Sequence, residues 1–328
     1  MRTAALLPTP GDPFHVRWWL RNYERVWMGE VDELHVLVNG QPDDLSREYV
    51  RTLVEELGGR YAEWNGPGRI SHGDALNILI QDCDADVVVL VEDDAPVRTS
   101  GAVAAGLLQV QSGAWDVVSS PRESMSPELA DAAREKWGEC RSYDGSTGHG
   151  MWPAFVFARR DTLLATSRHY GERSWGRNQV VPGLGHTVRG EAAVVDTFGS
   201  TAFELRDAFQ VLDVPQYKGP WGWERWLDRG HDIPWFHIGS LSSSGYLVLE
   251  VAGFAEGRTL TDEQELGEWS HRISWWERFL RTAGDFLPDR QTRYRRNLDR
   301  LGDRMGVEGW RIEAWDRIVD RMVTWEES

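Results

Sequence analysis

The stretch that most limits what this chain can fold into is VVVLVEDD at 87–94. Five apolar residues, four of them valine, run directly into three adjacent carboxylates. An apolar run without polar alternation is the pattern of a strand buried on both faces, and such strands belong to parallel sheets covered by helices. Glu92, Asp93 and Asp94 then stand where the strand leaves the sheet. Three neighbouring acids repel one another, so either water solvates them fully or a cation offsets their charge. In open α/β sheets, ligands bind outside the carboxyl ends of the strands. The pattern predicts a metal-dependent enzyme acting on a phosphorylated substrate.

The flanking sequence supplies the rest of such a sheet. Residues 3–7 form an apolar run stopped by Pro8, Pro10, Gly11 and Pro13, which reads as a first strand and a tight loop. Residues 33–38 and 60–64 read as further strands, and 14–27, 45–57 and 71–83 as helices between them. This βαβαβαβ grammar predicts a doubly wound, mostly parallel α/β sheet. Downstream, 103–111 and 123–137 read as helices, and 115–119 and 152–158 as strands. Residues 161–167 read as a short helix, 144–150 as a loop, and 171–190 as irregular and Gly-rich. Strand, helix and strand follow at 192–196, 202–209 and 210–214. Beyond residue 260 the text becomes amphipathic helix, rich in Arg and acids, and reads as a C-terminal helical extension. The predicted division is 1–120, 121–259 and 260–328.

Composition narrows the function classes. The 328 residues suffice for a substantial core, and 41% hydrophobic with 27% charged content is ordinary for a soluble globular protein. A net charge of −16 argues against non-specific binding to nucleic acid or anionic membranes, while a bound cation can still reverse the field locally. Cys83 and Cys140 are the only cysteines, too few for a disulfide framework or a zinc site. No stretch approaches the roughly 18 apolar residues of a membrane span, and no leader segment opens the chain. A soluble, cytoplasmic protein is the expectation. Among the 18 tryptophans, Trp152, Trp175, Trp221, Trp223, Trp226 and Trp235 lie near Gly and Pro, as core packing or as stacking platforms for sugar rings.

The order LLPTPGDPF, LHVLVNG, then ISHGDALNILIQDCDADVVVLVEDD resembles the nucleotide-sugar half of GT-A-fold glycosyltransferases, and is most similar to the large family 2 group. The likeness covers 3–120 well and 150–245 more loosely; 260–328 has no counterpart. It implies a GT-A-like fold in which a Pro-containing loop ends the first strand and the second strand ends near the nucleobase. A G-x-A-x-N-type helix then packs over the diphosphate, and a DxD-type motif ends the next strand. The matching positions are Pro8 and Thr9, Asn39, Gly73 with Ala75 and Asn77, and Glu92 to Asp94. Residues 1–120 would thus be the donor half, and 121–259 the acceptor half of the same domain. Two positions depart from the family pattern. Asn39 replaces the usual Asp, and Glu92 opens the acidic motif, where its longer side chain suits a ribose or outer contact as well as a metal.

The resemblance also implies the chemistry. Mn²⁺ or Mg²⁺ held by Asp94 and Glu92 would neutralise charge on the departing nucleoside diphosphate of a UDP- or GDP-sugar. His237, in PWFHIGSLSSS, fits a third metal ligand, with His231, His186 and His149 as further histidines in the same half. An inverting enzyme needs a general base for the acceptor hydroxyl. Asp196, followed by a helix carrying Leu205-Arg206 and then a strand, has that layout, and Glu224 is the rival; either could instead be a carboxylate favouring a helix start. Arg159 and Arg160 are candidate diphosphate contacts, as are Lys218 and Ser242 to Ser244, which also read as a polar turn. The acceptor is left open among glycan, protein, small molecule and modified DNA base. A sugar nucleotidyltransferase and a non-catalytic carbohydrate-binding protein on the same fold are the alternative readings.

Overall fold

The structure is a computed structural model. It describes residues 1–11, 16, 19–20, 22–42, 44–93, 95, 97, 101–122, 125–140 and 148–214, and of 45–46, 217–218 and 236–237 the backbone alone. The strands of the main sheet are β1 (Thr3–Thr9), β2 (Glu33–Val38), β3 (Arg60–Glu63), β4 (Val87–Val91), β5 (Val117–Arg122), β6 (Gly150–Arg159) and β9 (Val211–Asp213). They form one sheet in the order β3-β2-β1-β4-β6-β5-β9. Only β6 runs against its neighbours; all the other pairings are parallel. The sheet is therefore mostly parallel, with helices alternating between strands, as predicted.

The central strands are covered on both faces, which is why their sequences lack alternation. Every residue of β4 is fully buried. On one face lies helix α2 (His72–Asp82), whose Ala75, Leu76, Leu79 and Ile80 pack with Leu6, Val88 and Leu90. On the other, Trp27 meets Phe155 edge-on at 6.2 Å, and α3 (Ala102–Gln111) packs through Gly106, whose missing side chain leaves room for Phe157. Each such buried side chain contributes about 1.5–3 kcal/mol. Helix α1 (Asp44–Glu56) covers β2 and β3, with Arg47 and Arg51 reaching Glu63 at 2.9 and 2.7 Å.

A second layer is made by α4 (Pro127–Trp137), which precedes β6, and by elements that follow it: α5 (Arg160–Leu164), the antiparallel pair β7 (Arg173–Gly176) and β8 (Ala192–Val195), and α6 (Gly199–Ala208). Trp175, Val181, Leu184, Val188 and Val195 form a small core there with Leu129 and Phe203. A last pair, β10 (Tyr217–Lys218) and β11 (Phe236–His237), is described as backbone.

Three local expectations change. The first strand runs on through Pro8 to Thr9, because the β4 ladder already ends at Leu6↔Leu90 and the missing N–H leaves no β4 partner unpaired. The segment at 171–190 is not wholly irregular: RSWG has no alternation of its own, and β8 supplies the pairing that makes β7 a strand. The first helical segment ends in a π-helical turn at Tyr23–Trp27, with Trp19, Tyr23 and Trp27 in mutual ring contact. The predicted C-terminal helices lie outside the described residues.

Candidate functional site

Strand order reverses between β1 and β4, with β2 and β3 on one side and β6, β5 and β9 on the other. Such a switch point opens a crevice at the carboxyl edge of a doubly wound sheet. Side chains bridge it directly. Thr9 Oγ1 donates to Asp93 Oδ2 at 2.7 Å in a buried hydrogen bond, and the same hydroxyl accepts from Gly11 N–H at 3.2 Å. Asp93 is 4% exposed. Its role, unassigned by the sequence, is to latch the loop after β1 to the end of β4. With Asp93 turned inward to Thr9, the acidic triplet no longer presents three like charges to one point.

Glu92 faces another way. Its Oε1 lies 3.6 Å from His72 Nε2, on the first turn of α2. That turn is set by Ser71, which accepts from Asp74 N–H at 3.0 Å and donates to the Asp74 carboxylate at 2.7 Å, a reciprocal N-terminal cap. Gly73 follows, where the helix meets the 170–171 backbone so closely that a Cβ would lie 2.1 Å from Gly171 N. Asn77, one turn on, accepts from Gln81 Nε2 at 2.8 Å.

Asn39 ends β2 on the far side of β1. Its backbone N–H donates to Thr9 C=O at 2.9 Å, and its Nδ2 donates to Ile70 C=O at 3.2 Å. The residue is 1% exposed, and its Oδ1 is buried without a hydrogen-bond partner among the described residues. A buried, unsatisfied acceptor costs about 1–3 kcal/mol, and a ligand N–H placed there would recover it. Pro8, Thr9, Asn39, Glu92 and Asp93 thus stand at the carboxyl ends of β1, β2 and β4, and Gly73 lies on the helix turn whose His72 meets Glu92. Asp94 and Glu224 lie outside the described residues. His237 is described only as backbone, paired with Lys218 across β10 and β11.

Asp196 stands at the same edge, beyond β5. One carboxylate oxygen accepts from Thr197 N–H at 2.7 Å, and the other pairs with the guanidinium of Arg122 at the end of β5. Arg122 lies over the Trp152 ring, 4.0 Å from its centroid. The Asp196 side chain remains 40% exposed. Downstream, Arg206 is committed to structure, forming a bidentate pair with Asp213 at 2.6 and 3.1 Å and donating to His149 C=O at 2.6 Å.

Other sequence candidates fall elsewhere. Because β6 is antiparallel, Arg159 and Arg160 come out at the amino edge of the sheet, where Arg159 pairs with Val87 and Arg160 binds the carbonyls of Ile80 and Gln81. They are therefore removed from any diphosphate in the crevice. Burial keeps His149 neutral by lowering its pKa, and its Nε2 is taken by Gly138 C=O. His186 is held by Glu128 at 2.8 Å. Trp175 is buried in the hairpin core and presents no face to a sugar. Sequence reasoning missed His72 and Arg122. His72 precedes the quoted glycine of its motif, and Arg122 is one strand-end arginine among many, so neither carried a signal. Among the described residues, no three His, Cys, Asp or Glu side chains gather as a metal site, and no helix is long and apolar enough to cross a membrane.

Known proteins resemble this chain in fold. No protein-family model matches it, and neither does any curated protein. Among solved structures, glucosyl-3-phosphoglycerate synthase from Mycobacterium tuberculosis is 18% identical, matched over 65% of this chain and 70% of that one, with a TM-score of 0.41. The same enzyme solved with phosphoglyceric acid is 19% identical at a TM-score of 0.36, over 50% of this chain and 59% of that one. A Desulfovibrio desulfuricans protein described as a nucleotide-diphospho-sugar transferase is 15% identical, covering 66% and 80%, with a TM-score of 0.38. These are likenesses of fold.

Proposed function

We propose that this chain is a metal-dependent glycosyltransferase that moves a sugar from a nucleoside diphosphate donor to an acceptor hydroxyl, with inversion. One juxtaposition supports the reading. Across the switch point of a mostly parallel sheet, a latched acidic strand end is separated by β1 from Asn39, a buried amide whose acceptor oxygen has no partner among the described residues. In this reading Asn39 Oδ1 accepts an N–H of the base, such as N3–H of uracil. The carboxylate of Glu92 is a hard donor set apart from the Asp93 latch, which fits a divalent cation. Glu92, Asp94 and His237 would hold that ion. When bound, it offsets the charge that grows on the diphosphate.

The remaining chemistry belongs to the protein's own side chains. The acceptor oxygen attacks the anomeric carbon, the bond to the diphosphate breaks, and the hydroxyl proton passes to Asp196. Thr197 N–H and Arg122 would hold that carboxylate by separate oxygens, so its orientation is set before the acceptor arrives. Its exposure leaves an approach for a hydroxyl. Glu224 is the second candidate base.

Calorimetric titration with UDP and GDP, with and without Mn²⁺, tests the donor site first. UDP with Mn²⁺ is the first pair to try, because the M. tuberculosis synthase is solved with both. Cation-dependent binding that Asp94→Ala abolishes is the expected result; equal binding by Asp94→Ala would remove the metal site from the proposal. An acceptor screen by mass spectrometry then follows donor turnover.

A further inference from the structure

The connection between β7 and β8 folds into a fixed scaffold. Asn178 N–H donates to Val188 C=O at 2.8 Å, Val188 N–H to Gln179 C=O at 2.9 Å, and Val181 N–H to His186 C=O at 2.8 Å. Val181, Leu184 and Val188 are buried beneath it. Glu128 of α4 fastens the other end, accepting from Arg189 N–H at 2.6 Å, His186 Nε2 at 2.8 Å and Gly190 N–H at 3.1 Å. Those bonds hold its pKa down to about 2, the Arg189 N–H contributing most.

On the outer side of this scaffold is an open cavity of about 450 Å³, lined by Arg177, Asn178, His186, Thr187 and Arg189 among others. Among the described residues, no carboxylate lines it. Arg47, Arg51, Arg122 and Arg206 each engage an acid. By contrast, the guanidiniums of Arg177 and Arg189 have no partner among the described residues, in a chain whose net charge is −16. We propose that this cavity binds a phosphate group. Two guanidinium forks match the paired oxygens of such an anion, and the Thr187 hydroxyl can donate to a third. A preorganised loop avoids the ordering cost that exposed arginines otherwise carry.

The site is separate from the crevice. Strand β8 spans the interval from the cavity rim to Asp196, four residue steps from Ala192, or roughly 13 Å. The phosphate therefore comes either from an acceptor that extends well beyond its reacting hydroxyl or from a free phosphorylated ligand.

Inorganic phosphate titrated into the full chain at constant ionic strength tests the site, with chloride as the matched control. Wild type should bind phosphate saturably. The exposed double variant R177Q/R189Q should bind at least about tenfold more weakly, as expected for losing charge-assisted bonds, with an unchanged circular dichroism spectrum. T187V, which alters no charge, should weaken binding by a smaller factor, and Arg60→Gln, on β3, should leave it unchanged. Equal titration of wild type and the double variant, or equal weakening by Arg60→Gln, would overturn the proposal. None of this requires the transferase reading. Two further arms separate the sources. A rise in KM confined to acceptors carrying a phosphomonoester assigns the group to the acceptor. A phosphate effect on turnover that is equal for all acceptors and absent in R177Q/R189Q assigns it to a free ligand.

Discussion

Asp93 follows β4, and Asp196 pairs with Arg122 at the end of β5, two strands along the same edge of the sheet, yet they are held by different physics. Asp93 is buried, and it accepts a hydrogen bond from a neutral hydroxyl on the neighbouring strand. Asp196 is partly exposed, and its partner is a guanidinium braced against an indole. The first arrangement is short-ranged and insensitive to salt. The second is electrostatic, open to water and screened. The Asp93 end is thus built in during folding, whereas the Asp196 end keeps a partly exposed carboxylate.

Four experiments can break or sharpen this contrast. Asp196→Ala should have the largest effect, lowering transfer by about 10²- to 10⁴-fold, the usual contribution of a general base, while the loss of its pair with Arg122 costs at most about 1 kcal/mol of stability. Full activity in this variant would shift the base role to Glu224. Next, Gly73→Ala should destabilise the fold by about 1–3 kcal/mol, the usual cost of overpacking, because the Gly171 backbone occupies the space of the new methyl. Denaturant unfolding measures this, and a neutral result would mean that the α2 contact with residues 170–171 is loose.

The third experiment compares the two ends directly. Asp93→Ala strands a buried Thr9 hydroxyl and should cost about 1–3 kcal/mol at any ionic strength. Arg122→Met should cost at most about 1 kcal/mol, and that difference should shrink as salt is added. Similar salt dependence for the two variants would erase the distinction drawn here.

The smallest effect concerns pH. Glu128 titrates near 2 in the folded chain, below its usual range, so the unfolded chain binds its proton first as pH falls. Its contribution is present above about 4.5 and is lost as pH drops from there toward 2. His149, also lowered, gives a loss that begins as pH falls through its ordinary value of 6.5. Acid unfolding of Glu128→Gln should therefore depend less on pH below 4.5 than that of wild type, while the shallower slope beginning near 6.5 should persist.

Much of the sheet could be read from residue order. The unbroken apolar run of β4 and the Ser71 cap before α2 each carry their structure in local chemistry, because burial on both faces and helix capping leave one-dimensional marks. Strand direction leaves none. The apolar run of β6 reads the same either way, and its antiparallel course alone sent Arg159 and Arg160 to the edge opposite the acids. The division of labour within EDD was equally hidden: nothing in the triplet marks which carboxylate latches a loop and which faces an α2 histidine. What the sequence by itself determined is that acids end a doubly buried strand near a glycine-bearing helix start. Only the tertiary structure decided that Asp93 closes on Thr9, that Asn39 keeps an unpartnered oxygen, and that Arg122 meets Asp196. Each of those depends on strands brought together from distant parts of the chain, and periodicity cannot encode such pairings.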